Sequence, residues 1–482
     1  MLVKKREKKE NRFIKTCRDF GAHTSFHGVK YIVSKDNTIY EKILWAIVVL
    51  LCIAGSVYMT MIFWNRFNSN PIRITIQSMH KHTSIIPFPG ITICPAVRQI
   101  PEKVDELLAD LVLPVNVSRE DIRAVMPMLM GYNQYRELDI KAIDLLSSVF
   151  RLNGYNAADV FKRIEPSCSE IILKCRWEHQ YVPCEKLFKT SYTRDGHCCT
   201  FNGNSGRKNF TLYRTLYYGV QMGLSVILNP LITNVSTQVS TLNSAGVKIL
   251  IHSPEDYPGL FSIEKILAAG RESFIRILGT KLISSSDVES LTAKQRSCLI
   301  ANEMKLKYFN EYRDTNCGTE CKMDKVYHYC DCIPYYFPPS DKLMCNISSI
   351  ACLSKNYNRI FRSSTSSNSH TRNATSTLEC ECPPQCNDVF YAVQTSNVPM
   401  ADVPYTTSDF YKSEQVKHIT DMMVVHMYFG SHYQTVMIRD TITSTYYLLS
   451  SFGGVFSLFL GCSFVSILEI IYYFCIRIFT KY

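Results

Sequence analysis

Between Ser450 and Glu469 lie the groups that could do chemistry on ions. Ser450–Tyr473 reads SSFGGVFSLFLGCSFVSILEIIYY. Serines 450, 451, 457, 463 and 466 supply hydroxyls, Gly453, Gly454 and Gly461 leave backbone carbonyls uncovered, and Glu469 adds the one carboxylate. Hydroxyls and bare carbonyls can replace the water shell of a small cation, and acidic side chains draw cations toward a pore. The same small residues could instead let two membrane helices pack backbone to backbone, with no conduction. Glu469 favours the pore, because a carboxylate in lipid is costly unless it faces water or a partner.

Such residues need elements to carry them. Leu448–Phe474 is 27 residues with a single charge, and Ile43–Phe63 is 21 residues with none. At ~1.5 Å per residue the second of these makes a helix about 31 Å long, enough to cross a hydrocarbon core. The first span, plain and apolar, reads as the lipid-facing partner of the hydroxyl-rich one. Residues 1–42 hold eleven Lys/Arg against five Asp/Glu, and Arg477 and Lys481 follow the second span. Cytoplasmic flanks collect Lys and Arg, so both ends are expected in the cytosol. The basic start lies too far from the first span for a signal peptide, so that span is expected to act as its own insertion signal. Of the formal charge of +11, only +4 falls on residues 43–446, which gives no footing for nucleic-acid binding.

The segment between the spans holds sixteen of the twenty cysteines and the sequons at Asn116, Asn209, Asn234, Asn346 and Asn373. Both features suit an extracellular, oxidising setting and full disulfide pairing. Cys17, Cys52, Cys462 and Cys475 fall in the cytosolic or membrane parts. A metal reading fails on spacing: Cys317-x3-Cys321 and Cys380-x-Cys382 are close, yet C-x2-C pairs and accompanying histidines are absent. No HExxH, GxSxG, Walker loop or GxGxxG occurs, so an enzyme is not expected. Strand patterns run through Ile72–Ile76, Ile91–Cys94, Tyr218–Leu228 and Gly246–His252, and helical ones through Glu102–Leu111, Asp139–Phe150 and Ala293–Tyr308. Residues 362–376, rich in Ser, Thr and Asn, read as an exposed loop. The fold class expected is therefore an α+β membrane protein with two transmembrane helices flanking a large disulfide-rich extracellular domain.

A family resemblance runs through the same residues. Gly461-Cys462-Ser463, after the Gly453-Gly454 pair and before Glu469, resembles the G-x-S tripeptide of the epithelial sodium channel/degenerin superfamily. Phe88–Cys94 (FPGITIC) resembles its signature strand, His27-Gly28 its cytosolic His-Gly pair, Gly196–Asn202 (GHCCTFN) its G-x-C-x-T-F-N segment, and the cysteines from 298 to 386 its thumb. The likeness covers roughly residues 13–480. The doubled Cys198-Cys199 and the short tails look most like the insect pickpocket branch.

The resemblance implies a trimeric channel, homomeric or built with related subunits, each subunit bearing a hand-like ectodomain of palm, thumb, finger, knuckle and β-ball. It implies amiloride-sensitive, voltage-independent conduction of Na⁺ as the permeant ion, with no cofactor, gated by an extracellular chemical or mechanical stimulus. Its domains would be a cytosolic segment (1–42) carrying His-Gly, a first membrane helix (43–63), an extracellular domain (64–446), a pore-lining helix (447–476) and a cytosolic tail (477–482). Gly461, Cys462 and Ser463 would form the selectivity belt, with Ser466 and Glu469 also along the pore. Gly453, Gly454 and Ser457 would govern helix approach in the pore. Ser450 would be the site where bulky residues hold the channel open, near the amiloride site, and His27-Gly28 would support the lower pore and influence gating. The implied disulfides are Cys298–Cys386, Cys317–Cys382, Cys321–Cys380, Cys330–Cys352 and Cys332–Cys345 in the thumb, and Cys94–Cys198, Cys175–Cys184 and Cys168–Cys199 elsewhere.

Departures from the pattern are few. Ser457 stands where the family usually has Gly, and Cys462 is an uncommon middle residue. The acid-sensing branch uses a thumb Trp, whereas the tryptophans here are Trp45, Trp64 and Trp177, none near Cys298 in sequence. That weakens a proton-gated reading. Three rival readings fit the residues less well. An ATP-gated trimer would need a lysine cluster and another cysteine layout. A non-conducting or modulatory receptor-like subunit would leave the acidic, hydroxyl-rich span unexplained. A membrane-bound enzyme would need one of the absent motifs.

Overall fold

A computed structural model describes residues 12–69, 72–133, 138–203, 212–231, 239–361, 380–401, 410, 422–442 and 445–477. The sequons at Asn209, Asn234 and Asn373, the basic cluster at 4–9, Lys481 and the Ser/Thr/Asn-rich stretch lie outside these residues. The chain divides into two compact units. One comprises residues 1–74, 285–296 and 439–482, the other residues 75–284 and 297–438.

Fifteen strands are found among the described residues. They are β1 (Ile72–His82), β2 (Gly90–Pro95), β3 (Val97–Gln99), β4 (Ile172–Trp177), β5 (Gln180–Tyr181), β6 (Phe188–Thr193), β7 (Gly196–Phe201) and β8 (Leu224–Leu228). The rest are β9 (Val239–Ser240), β10 (Gly246–His252), β11 (Ile263–Ala268), β12 (Arg271–Ser284), β13 (Asp388–Pro399), β14 (Met423–Phe429) and β15 (Tyr433–Thr441). One sheet runs β1-β15-β12-β14-β8-β4-β5, with β13 also on β12, and a five-stranded sheet runs β11-β10-β2-β7-β6. Strand β10 is flanked by β2 and β11, antiparallel on both sides. That central place explains its near-continuous apolar sequence GVKILIH, of which only Lys248 is less than buried. Ile91, Ile249 and Phe201 of the small sheet share one buried cluster with Val226, Ile275 and Met427 of the large one. Burying each such side chain is worth roughly 1.5–3 kcal/mol, which fuses the two sheets into one core.

Short helices form a second core. Leu107, Leu146, Phe150 and Phe161 pack with Val326, Tyr335 and Ile350. Asp139 caps the Ile140–Leu152 helix by accepting the backbone N–H of Lys141 and Ala142, and Asn156 with Asp159 forms a capping box on Ala157–Ile164. Eight disulfides staple this unit: Cys94–Cys198, Cys168–Cys199, Cys175–Cys184, Cys298–Cys386, Cys317–Cys382, Cys321–Cys380, Cys330–Cys352 and Cys332–Cys345. Cys17, Cys52, Cys462 and Cys475 carry free thiols.

The helix expected over Ala293–Tyr308 is not there. Only Ala293–Arg296 is helical. Ser297 then turns left-handed at φ 50°, and Cys298 is bonded to Cys386. Leu299 donates its N–H to the Pro384 carbonyl at 2.9 Å and accepts that of Cys386 at 2.8 Å. The bridge takes backbone groups of Leu299 that a helix would have used, and the disulfide ties Cys298 to Cys386, so local periodicity is overridden. Tyr218–Leu228 is likewise split, into a 3₁₀ turn at Val220–Met222 and strand β8.

The other unit is helical. It holds Arg12–His23, Val29–Val33, the 31-residue helix Ile39–Ser69, and the consecutive helices Thr445–Leu460 and Phe464–Ile471. The long helix is apolar and long enough to cross a membrane. The hydroxyl-rich span, expected over 447–476 as a pore-lining helix that by the family resemblance can break at Gly461, Cys462 and Ser463, is in the structure a pair of helices bent by 68° at residues 461–463, continued by a π-helical turn at Tyr472–Arg477.

Candidate functional site

The bend at 461–463 gathers most of the residues singled out in the sequence. Gly461 closes the upper helix by donating its N–H to the Ser457 carbonyl at 2.9 Å, then leaves helical geometry at φ +67°. Glycine adopts that conformation without the penalty that a Cβ brings. Space argues the same way, since a Cβ on Gly461 would sit 2.3 Å from the His27 ring. The lower helix restarts with Ser463 as its cap. Ser463 donates its N–H to the Ser466 hydroxyl at 3.0 Å and accepts the Ser466 N–H at 3.0 Å. Among the described residues, no backbone N–H bonds the Gly461 or Cys462 carbonyl. Two carbonyls left uncovered in an apolar stretch are what a dehydrated cation needs. The Cys462 thiol turns back to the Phe456 carbonyl at 3.6 Å.

His27 donates its backbone N–H to the Leu460 carbonyl at 2.9 Å, satisfying one of the carbonyls that the upper helix exposes where it ends. Gly28 sits at φ +81°, and a Cβ there would lie 2.6 Å from Val49 and 3.4 Å from Trp45. The His-Gly pair is thus wedged between the bend and the long helix, and Tyr31 stacks on Trp45 with ring centres 4.5 Å apart. Ser25 shares a hydrogen bond of 2.7 Å with the Ser466 hydroxyl and donates to a Glu469 carboxylate oxygen at 3.4 Å. Ser466 is fully buried in consequence, so its hydroxyl ties the lower helix to the N-terminal segment. Further along, Asp19 pairs with Arg477 at 2.5 Å, and the Phe20 ring packs 5.5 Å from both Tyr473 and Phe474.

Other sequence-singled residues lie away from the bend. Ser450, Gly453, Gly454 and Ser457 are exposed on the Thr445–Leu460 helix, and Cβ atoms on the two glycines would meet nothing within 4 Å. The long helix packs on this one by setting Gly55 against the Phe459 ring. Asn116 and Asn346 belong to the disulfide-bonded unit; Asn346 there caps a 3₁₀ turn by accepting the Ser349 N–H. Sequence reasoning missed Ser25, Asp19 and Phe20. Their partners lie more than 400 positions away, and no local pattern marks them.

Comparison with known proteins gives this arrangement a context. The family model described as amiloride-sensitive sodium channel matches residues 20–473. Sodium channel protein Nach of Drosophila ananassae is 29% identical over 475 residues, covering 97% of this chain and 88% of that protein. Pickpocket protein 28 of Drosophila melanogaster is 26% identical, covering 94% of this chain and 77% of its own length. Acid-sensing ion channel 1A of Danio rerio is 24% identical, with coverage of 94% and 86%.

Proposed function

The chain belongs to the amiloride-sensitive sodium channel family, and from that premise we propose that it is a subunit of a sodium-selective cation channel. The family is one of plasma-membrane ion channels rather than enzymes. In this reading the chain crosses the membrane twice, at 43–63 and 447–476, with both termini in the cytosol and residues 64–446 outside. Three subunits, identical or related, surround the pore with their second spans. Gly461, Cys462 and Ser463 form the selectivity belt, and Glu469 draws cations toward it. Ser450 and the His27-Gly28 pair set the gate, and amiloride binds near Ser450. An extracellular stimulus moves the disulfide-stapled domain, the second spans splay or rotate, and Na⁺ enters down its gradient.

One observation carries the reading most strongly. The second span breaks at Gly461–Ser463, where two carbonyls are left without backbone partners and His27 holds the end of the upper helix. A helix that only packed against another would gain nothing from this break, which forfeits intrahelical bonds in an apolar setting. Voltage-clamp recording of the expressed chain, alone and with related subunits, tests it. The expected result is an inward, amiloride-blocked current that disappears when external sodium is replaced by a large organic cation. A current carried equally by potassium, or by chloride, would overturn it.

A further inference from the structure

Strand β1, at the edge of the large sheet, ends in His80-Lys81-His82, and the turn from β14 into β15 brings His432 against it. The His82 and His432 rings meet with centres 4.3 Å apart and planes crossing at 85°. Both side chains are half-buried at the surface of the disulfide-bonded unit. Tyr218 and Tyr433 flank His432, with ring centres 5.7 and 4.9 Å from its own.

The backbone beneath the pair is fixed. Thr83, fully buried, donates its N–H to the His432 carbonyl at 3.0 Å and its hydroxyl to the same oxygen at 2.7 Å. Gln434, also buried, donates to the Thr83 hydroxyl and to the Ser431 carbonyl, each at 3.3 Å. His82 spends Nδ1 on Ser84, 2.9 Å from the hydroxyl and 3.2 Å from the N–H, which leaves Nε2 for another partner. Among the described residues, nothing hydrogen-bonds either ring nitrogen of His432. Ring packing alone needs no nitrogens, and here they stand uncommitted on a rigid, buried support.

We propose that His82 and His432 form a two-imidazole site for a divalent transition-metal ion of the copper, nickel and zinc group, with water filling the remaining positions. Two imidazoles bound at ~2.0 Å and at right angles on one ion have ring centres about 4.5 Å apart, close to the observed spacing. Imidazole suits these metals, whereas calcium and magnesium want oxygen ligands. The Ser84 hydroxyl can accept Nδ1–H while Nε2 of His82 gives its lone pair to the metal, the tie found behind most ligating histidines. The His432 ring can turn to follow, because χ2 of histidine is a broad torsion.

The same surroundings set the strength of the site. Among the described residues, no third His, Cys, Asp or Glu completes a cluster with the pair. Arg214 donates to the Ser84 carbonyl at 3.1 Å, and its charge opposes that of the ion. The ion is therefore an exchangeable one that reports on its extracellular concentration, not a structural one. The proposal does not rest on conduction; it concerns binding to the folded chain.

The test is a Cu²⁺ titration of the purified full chain followed by electron paramagnetic resonance. Cys17, Cys52, Cys462 and Cys475 lie in the other unit and are alkylated first, so that thiols neither bind nor reduce the ion. We expect one saturable site whose spectrum shows splitting from two imidazole nitrogens. His82→Gln and His432→Gln should each weaken binding at least tenfold and leave splitting from one nitrogen. Ser84→Ala should weaken it about tenfold with both nitrogens retained. His328→Gln, which alters an exposed imidazole elsewhere in the unit, should change nothing. His432→Gln breaks no side-chain hydrogen bond, so it decides the matter should His82→Gln unfold the chain. No saturable site, no nitrogen splitting, an unaltered site in His432→Gln, or equal weakening in His328→Gln would each overturn the proposal.

Discussion

The two apolar spans start from similar hydrophobicity and end as different objects. Ile39–Ser69 runs unbroken for 31 residues and turns Leu44, Leu50 and Leu51 outward. The later span stops at Leu460 and restarts at Phe464 after a 68° bend. Hydroxyls do not by themselves cause the break. Ser56 and Thr60 lie in the straight helix, where each hydroxyl donates back to a carbonyl of its own helix, Ile53 at 2.8 Å and Ser56 at 2.7 Å. In the bent pair the polar groups look outward from their own helix, to Ser25 and to His27. A membrane helix stays whole when its polar side chains are satisfied locally, and it opens when the rest of the chain supplies the partners.

The strongest way to break this contrast is Gly461→Val. It forces a side chain into the His27 ring and strains a left-handed position by ~1–2 kcal/mol before any clash is counted. We expect near-complete loss of amiloride-sensitive current with surface expression retained. A normal current would show that the break is dispensable. Next in size is Ser450→Phe. Because Ser450 is exposed on its helix, a bulky ring there points away from the packed face of its own chain, and an effect on gating would point to a contact beyond the protomer. The expected outcome is constitutive current without loss of thermal stability. Unchanged open probability in a conducting channel would refute the gating role.

Some of this was legible in the sequence because it depended on short-range chemistry. Gly246–His252 reads as a strand from its composition, and it is one because both edges are paired. The break at 461–463 coincides with a glycine flanked by small residues. The periodicity of Ala293–Tyr308 misled because one disulfide and one bridge at Cys298 and Leu299 outweigh the local helical preference beyond Arg296. Nor could spacing choose among the connectivities of sixteen cysteines; the family resemblance supplied that set. The partnership of Ser25 with Ser466, or of Asp19 with Arg477, leaves no trace in either local segment, since each is created only when distant helices meet.

Two smaller perturbations sharpen the comparison at the bend. Ser463→Ala removes the capping hydroxyl beside the uncovered carbonyls, and we expect a several-fold shift in the sodium/potassium permeability ratio, read from reversal potentials. An unaltered ratio would count against the belt. Ser466→Ala deletes a buried hydroxyl that joins the lower helix to Ser25 and caps Ser463, and should cost about 1 kcal/mol of stability. It should lower open probability more than it alters selectivity, because the lost bonds position the helix rather than face the ion. The reverse pattern would place Ser466 at the ion path.

The smallest effect should come from the straight helix, and its smallness is the point. Ser56 is as buried as Ser466, at 1% exposure each, and both are serines in apolar helices. If burial decided the outcome, Ser56→Ala and Ser466→Ala would behave alike. Ser56, however, donates only to the Ile53 carbonyl of its own helix, so alanine removes donor and hydroxyl together and strands nothing. At Ser466, alanine leaves the Ser463 N–H and the Ser25 hydroxyl without their shared partner. The cost of a deleted hydroxyl lies mainly in the groups left unsatisfied. Ser56→Ala should therefore stay within ~0.5 kcal/mol of the parent in thermal unfolding and leave current and selectivity unaltered. A loss as large as that of Ser466→Ala would mean that the two spans are held by burial alone, and the distinction drawn between them would fail.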